Sequence, residues 1–97
     1  MKPLKKVEIV VGKKETRLVI RILEKHNLAQ FTIIKNASGR GDTWERDGFG
    51  LTDVFQNNYI LIACEEAKFE LIKEPIRELL EDIGGICLVS DVMWLNH

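Results

Sequence analysis

The chain alternates two kinds of segment in an order that leaves few folds open. Residues 7–11, Val-Glu-Ile-Val-Val, read as a strand from their β-branched content. Gly12 ends that run. Residues 13–27 then place Leu18, Val19, Ile22 and Leu23 at the i, i+3, i+4 spacing of an amphipathic helix, with Asn27 as its stop. Residues 31–36 read as a second strand and residues 59–64 as a third. Residues 67–83 form a second helical pattern, with Ile72, Ile76, Leu79, Leu80 and Ile83 on one stripe. Pro75 is expected to kink that helix or mark a restart, because an interior proline costs about 3 kcal/mol. Gly84-Gly85 ends it, and residues 86–95 read as a fourth strand. The order β-α-β-loop-β-α-β predicts an α+β, ferredoxin-like βαββαβ unit: a four-stranded antiparallel sheet and two helices. A chain of 97 residues is read as a single domain, 1–97.

Between strands two and three the pattern breaks. An apolar strand runs into Ser38-Gly39-Arg40-Gly41, and a polar stretch extends from there to Asn58. Connections this long are uncommon in compact domains and are usually functional or disordered. Glycines let a backbone approach an anion closely, and an arginine can fork onto phosphate or carboxylate. Gly39, Arg40 and Gly41 are therefore candidate anion contacts; the other reading is a simple turn with a solvated arginine. Arg46 is a second candidate for a small oxyanion. Trp44, Phe49 and Phe55 are aromatic in an otherwise polar loop. They either anchor the loop over a ligand or a partner protein, or pin it to its own domain.

The strands carry a further message. Alternate residues of a strand face opposite sides of a sheet. Ile60, Ile62 and Cys64 oppose Tyr59, Leu61 and Ala63, and Ile86 and Leu88 oppose Cys87 and Val89. Both faces are apolar, while two helices cover only one. Another copy of the chain is the economical cover, so an obligate oligomer is expected.

Composition excludes several classes. The formal net charge of -1 argues against a general nucleic-acid binder or a membrane-surface protein. No run reaches the length of a membrane span, and the charged start is unlike a secretory signal. A cytoplasmic protein is expected, with Cys64 and Cys87 as reduced, buried, small hydrophobes. No His/Cys spacing suggests a metal site. An RNA-recognition module needs paired aromatics on its central strands, and only Tyr59, at a strand edge, is offered. No paired carboxylate or nucleophile–base set stands out; Asp42, Glu45, Asp47 and Asp53 are loop acids, and no enzyme is expected. Basic residues gather near the N-terminus (Lys2, Lys5, Lys6, Lys13, Lys14, Arg17 and Arg21), where they either steer an anion or serve only solubility.

The order of elements, the size, Thr32 in an aromatic-Thr-hydrophobic strand, the Gly-Arg start of the long loop and Gly84-Gly85 before the last strand resemble PII signalling proteins. The resemblance covers nearly the whole chain. It implies a homotrimer binding adenine nucleotides in clefts between subunits, with residues 38–57 as the "T-loop" and Gly84-Gly85 in the "B-loop" position. This loop lacks the tyrosine that nitrogen-regulatory members have modified by uridylylation. The B-loop has shrunk to two glycines without the phosphate-binding lysine, and the chain ends without the tail arginines. In this it is more similar to divergent PII-like proteins associated with carboxysomes or bicarbonate uptake, which implies ADP or AMP as ligand, with bicarbonate in some cases.

Carried over by resemblance, Thr32 lies near the adenine, Ile9 and Ile62 pack against the base, Gly39, Arg40 and Gly41 close on phosphates, and Gly84 and Gly85 meet a phosphate through backbone N–H groups. The plainer readings are a strand residue for Thr32, core for Ile9 and Ile62, and a helix C-cap for Gly84 and Gly85. The implied activity is non-enzymatic: nucleotide-dependent signalling, through the loop, to a protein partner such as a transporter or a carbon-metabolism protein. The alternatives are a trimeric copper-tolerance-like metal-binding protein and a nitrogen-regulatory PII variant.

Overall fold

A computed structural model describes residues 1–38 and 56–97. Four strands, β1 (Lys2–Gly12), β2 (Thr32–Ala37), β3 (Asn57–Cys64) and β4 (Ile86–Trp94), form one sheet in the order β2-β3-β1-β4. All three pairings are antiparallel. A short 3-10 turn, Lys13–Glu15, leads into α1 (Thr16–Lys25), and α2 (Glu66–Ile83) joins β3 to β4. This is the ferredoxin-like arrangement expected from the order of elements.

The helices lie on one face, and the register shows which residues they cover. Val7, Ile9 and Val11 of β1 stand opposite Ile62, Ile60 and Asn58 of β3. These residues, with Cys64, meet Val19 and Leu23 of α1 and Ile72 and Ile76 of α2 in a continuous buried core. Burying a branched aliphatic side chain is worth roughly 1.5–3 kcal/mol, so this cluster supplies most of the drive to fold.

β1 is longer than its β-branched centre suggests. Lys2 to Lys6 continue the strand because they pair with β4, from Lys2↔Trp94 to Lys6↔Ser90. Strand pairing overrides the weak propensity of lysine there. α1 stops as its sequence indicates. Asn27 adopts φ 61, and its N–H donates to Glu24 O at 3.1 Å while Leu28 N–H donates to Leu23 O at 2.8 Å. That is a Schellman motif with asparagine in the left-handed position.

α2 runs without interruption through Pro75, neither restarting nor ending there. Proline removes the hydrogen bond to the carbonyl four residues back, that of Leu71. Leu71 is exposed, so water can meet that carbonyl. β2 carries an irregularity between Ile34 and Ala37, where Asn36 takes φ 60.

Candidate functional site

One end of the sheet gathers the chain's unusual backbone. Gly12 closes β1 and pairs with Asn57, the first residue of β3. Ala37, the last residue of β2, also pairs with Asn57. β4 begins beside them, with Ile86 opposite Val10. Gly84 and Gly85, between α2 and β4, take φ 82 and φ 103, values that side chains disfavour. Gly84 N–H donates to Leu80 O at 2.8 Å and closes the helix. Gly85 rests on β1: a Cβ added there would lie 2.6 Å from Val10 O. The exposed Lys13, Lys14 and Arg17 stand at this end too, where β1 turns into α1. Positive side chains and the start of a helix favour an anion nearby.

Polar groups tie this end together. Lys13 N–H donates to Gln56 O at 2.6 Å. The Asn58 side chain, buried at the start of β3, accepts from Asn36 N–H through Oδ1 at 3.3 Å. Its Nδ2 donates to Thr16 Oγ1 at 3.0 Å, and the Thr16 hydroxyl donates to Gly12 O at 3.0 Å. Sequence reasoning passed over this network. Its signal was Asn57-Asn58 opening a strand, since asparagine is depleted there unless its side chain has partners.

Thr32 lies elsewhere. It is exposed, begins the edge strand β2 and pairs with Leu61. The row continues through Glu8 to Leu88 on the opposite edge strand, β4. Gly85 precedes β4, so it is separated from Thr32 by about 14 Å across the sheet and about 10 Å along it. One chain does not bring them together. The expectation that Ile9 and Ile62 pack against a base is corrected: they are 0% and 1% exposed, sealed beneath the helices in the core. They pair with Ile60 and Val7 on the helix-covered side, so alternation points both inward. Gly39, Arg40, Gly41, Trp44, Arg46, Phe49 and Phe55 lie outside the described residues.

The uncovered face of the sheet is largely apolar, with a polar cluster at its middle. Ile34, Ile86, Leu88 and Trp94 are 46–59% exposed there. Between them Tyr59 Oη donates to Glu8 Oε2 at 2.6 Å, and Lys6 Nζ lies 3.6 Å from Glu8 Oε1. The hydrogen bond from Tyr59, aided by Lys6, holds the Glu8 carboxyl below its ordinary value, and the same bond raises the Tyr59 phenol.

A groove of about 400 Å³ runs between α2 and β4 on the other side, lined mainly by Val7, Phe69, Ile76, Leu80, Cys87 and Val89. Among the described residues, none of the predicted site residues lines it. Cys64 is buried and Cys87 half-buried, and burial raises both thiols. Among the described residues no group of three or more His, Cys, Asp or Glu side chains is placed to hold a metal. Nor is any helix among them long and apolar enough to cross a membrane.

Comparison with known proteins decides the family. The model of the nitrogen regulatory protein P-II family matches residues 4–96. The chain belongs to that family. P-II proteins are regulatory signalling proteins rather than enzymes. Among solved structures, the chain resembles CPII, a nitrogen regulatory PII-like protein from Thiomonas intermedia K12, in a complex with ADP, AMP and bicarbonate. The TM-score is 0.81 at 22% identity, covering 98% of this chain and 96% of that one. The same protein bound to ADP and bicarbonate gives a TM-score of 0.79 at 25% identity, covering 95% and 88% of the two chains. The GlnK–ATP complex of B. subtilis is more distant, with a TM-score of 0.65 at 17% identity over 95% and 84%. Among curated proteins, none matches the chain in sequence.

Proposed function

We propose that this P-II protein is a non-enzymatic regulator that binds ADP or AMP in clefts between the subunits of a homotrimer. One observation carries the reading. Thr32 and Gly84-Gly85, the described residues that match the family's nucleotide contacts, stand at opposite edges of one sheet. Within one chain the whole width of the sheet lies between them, whereas the β2 edge of one copy beside the β4 edge of the next would bring the two into one cleft. A ring of copies supplies that contact at every junction and closes without free edges. The uncovered face, with Ile34, Ile86 and Leu88 exposed, gives the ring an apolar surface to bury.

In the cleft, Thr32 hydrogen-bonds the base. Gly84 and Gly85 admit phosphate close to the backbone, with Gly39, Arg40 and Gly41 closing from the loop and Lys13, Lys14 and Arg17 supplying positive potential. Bicarbonate is the second ligand, held by Arg40 or Arg46; its support is the likeness to CPII, whose complexes contain it. Trp44, Phe49 and Phe55 present the loop to a cytoplasmic partner, a transporter or a carbon-metabolism protein. The signal is a population shift: a nucleotide that contacts the loop favours one loop arrangement by its differential affinity for it.

Isothermal titration calorimetry with AMP, ADP and ATP, each with and without bicarbonate, tests the reading. Saturable ADP binding that bicarbonate strengthens is the expected result. Binding indifferent to bicarbonate removes the carbon link, and no heat with any nucleotide removes the reading.

A further inference from the structure

The hydrogen bonds around Asn58 have a role that packing alone does not require. Asn58 sits on the helix-covered side of β3, in register with Val11, where its neighbours in the strand are Ile60, Ile62 and Cys64. An apolar residue would suit that row. A buried amide is retained there at the cost of satisfying every polar atom, and this one is matched at both ends. Its carbonyl oxygen accepts from the backbone of Asn36, and its amide donates to the Thr16 hydroxyl. Thr16 is itself buried, and its hydroxyl donates a hydrogen bond to Gly12 O. The network therefore ties three separate stretches of chain: the end of β2, the end of β1 and the first residue of α1.

The place where it grips β2 is the place where β2 is least regular. Asn36 takes φ 60, and the register shifts between Ile34 and Ala37. Left-handed backbone is costly for a side-chain-bearing residue and persists where its surroundings hold it. Asn58 Oδ1 supplies that hold. β1 carries the other half of the arrangement, since Val10 O is the atom against which Gly85 is seated. The strand end and the glycine turn are thus fixed to the same three-residue stretch of β1, Val10 to Gly12.

We propose that Asn58 is a positioning residue for phosphate recognition: it locks residues 36–38 in a fixed relation to the Gly84-Gly85 turn. This deepens, and rests on, the nucleotide-binding reading above. Asn58 touches no ligand. It determines where β2 ends relative to the anion.

The test uses Asn58→Leu, which keeps the branching of the side chain with bulkier ends and removes both hydrogen bonds, Thr16→Val, which removes the hydroxyl, and Thr16→Ser, which keeps it. Thermal melting first establishes that each variant folds. Hydrogen exchange at the Asn36 amide, followed by NMR without ligand, reports the clamp itself. Calorimetry with ADP and with adenosine reports its consequence. Asn58→Leu is expected to speed Asn36 exchange and weaken ADP by about tenfold, the scale of one lost hydrogen bond, while adenosine changes little. Thr16→Val should show a smaller loss, and Thr16→Ser should behave as the wild type. Equal losses for ADP and adenosine, or wild-type ADP affinity in Asn58→Leu, overturn the proposal. If the unaltered protein binds no ADP, the nucleotide reading fails and the positioning role falls with it. Asn36 exchange then reports only whether the clamp exists as a structural element.

Discussion

Gly85 is seated directly on β1, so close that a Cβ would stand 2.6 Å from the carbonyl oxygen of Val10 and 3.0 Å from Val11 Cγ1. Its φ of 103 adds a second reason for glycine. Gly85→Ala must push β4 away from β1 or twist the turn. Overpacking of this kind costs about 1–3 kcal/mol, to be read from the denaturation midpoint in urea. ADP affinity should fall with it, because the turn that admits phosphate moves.

The Tyr59–Glu8 hydrogen bond predicts two pH limits. Its formation holds Glu8 below the ordinary 4.5 and raises Tyr59 above the ordinary 10.0. Ionised Glu8 therefore stabilises the fold above its unfolded value and stops doing so as pH falls through the depressed folded value. Neutral Tyr59 stabilises it below its unfolded value and stops as pH rises through the raised one. The stability difference between wild type and Tyr59→Phe should be level from roughly pH 6 to 9 and shrink on both sides. A difference that grows at either extreme would contradict the assignment.

Leu88 is 59% exposed on the uncovered sheet face. In the proposed ring it is buried, so Leu88→Glu places a carboxylate in an apolar interface. Sedimentation should show the variant as monomer with its circular dichroism retained. An unchanged oligomer would exclude this face from the interface.

In the proposed cleft Arg40 contacts phosphate rather than the base. Arg40→Ala should weaken ADP more than adenosine, by about tenfold or more for one charge-assisted contact. Equal loss for both ligands would remove Arg40 from that role.

The order of elements was legible because hydrophobic spacing switches cleanly between two periods along the chain. Asn27 announced the end of α1, and Gly84-Gly85 the end of α2. Four things were hidden. Pro75 reads as an interruption, yet α2 continues because the carbonyl that loses its partner, that of Leu71, lies on an exposed turn. Lys2 to Lys6 do not look like a strand, and pairing with β4, joined by β3 at Lys5 and Lys6, makes them one. Ile9 and Ile62 were placed against a base by the family resemblance, with core as the plainer reading, because alternation shows which residues share a face but not which face the helices cover. Asn58 was missed for a related reason: its partners, Asn36 and Thr16, are distant in sequence, and burial alone gives the side chain its meaning.

In the proposed ring one nucleotide is shared by the Thr32 edge of one copy and the Gly84-Gly85 edge of the next. Mixing two damaged proteins tests it directly. Thr32→Ala and Gly85→Ala are each prepared alone, then unfolded and reassembled together, and ADP binding is measured by calorimetry. In a mixed ring some clefts join an intact Thr32 from one variant to an intact Gly85 from the other. The account predicts that the mixture regains ADP sites that neither variant has alone. A mixture that assembles but binds no more ADP than its two parts would place the site within a single chain and contradict the account.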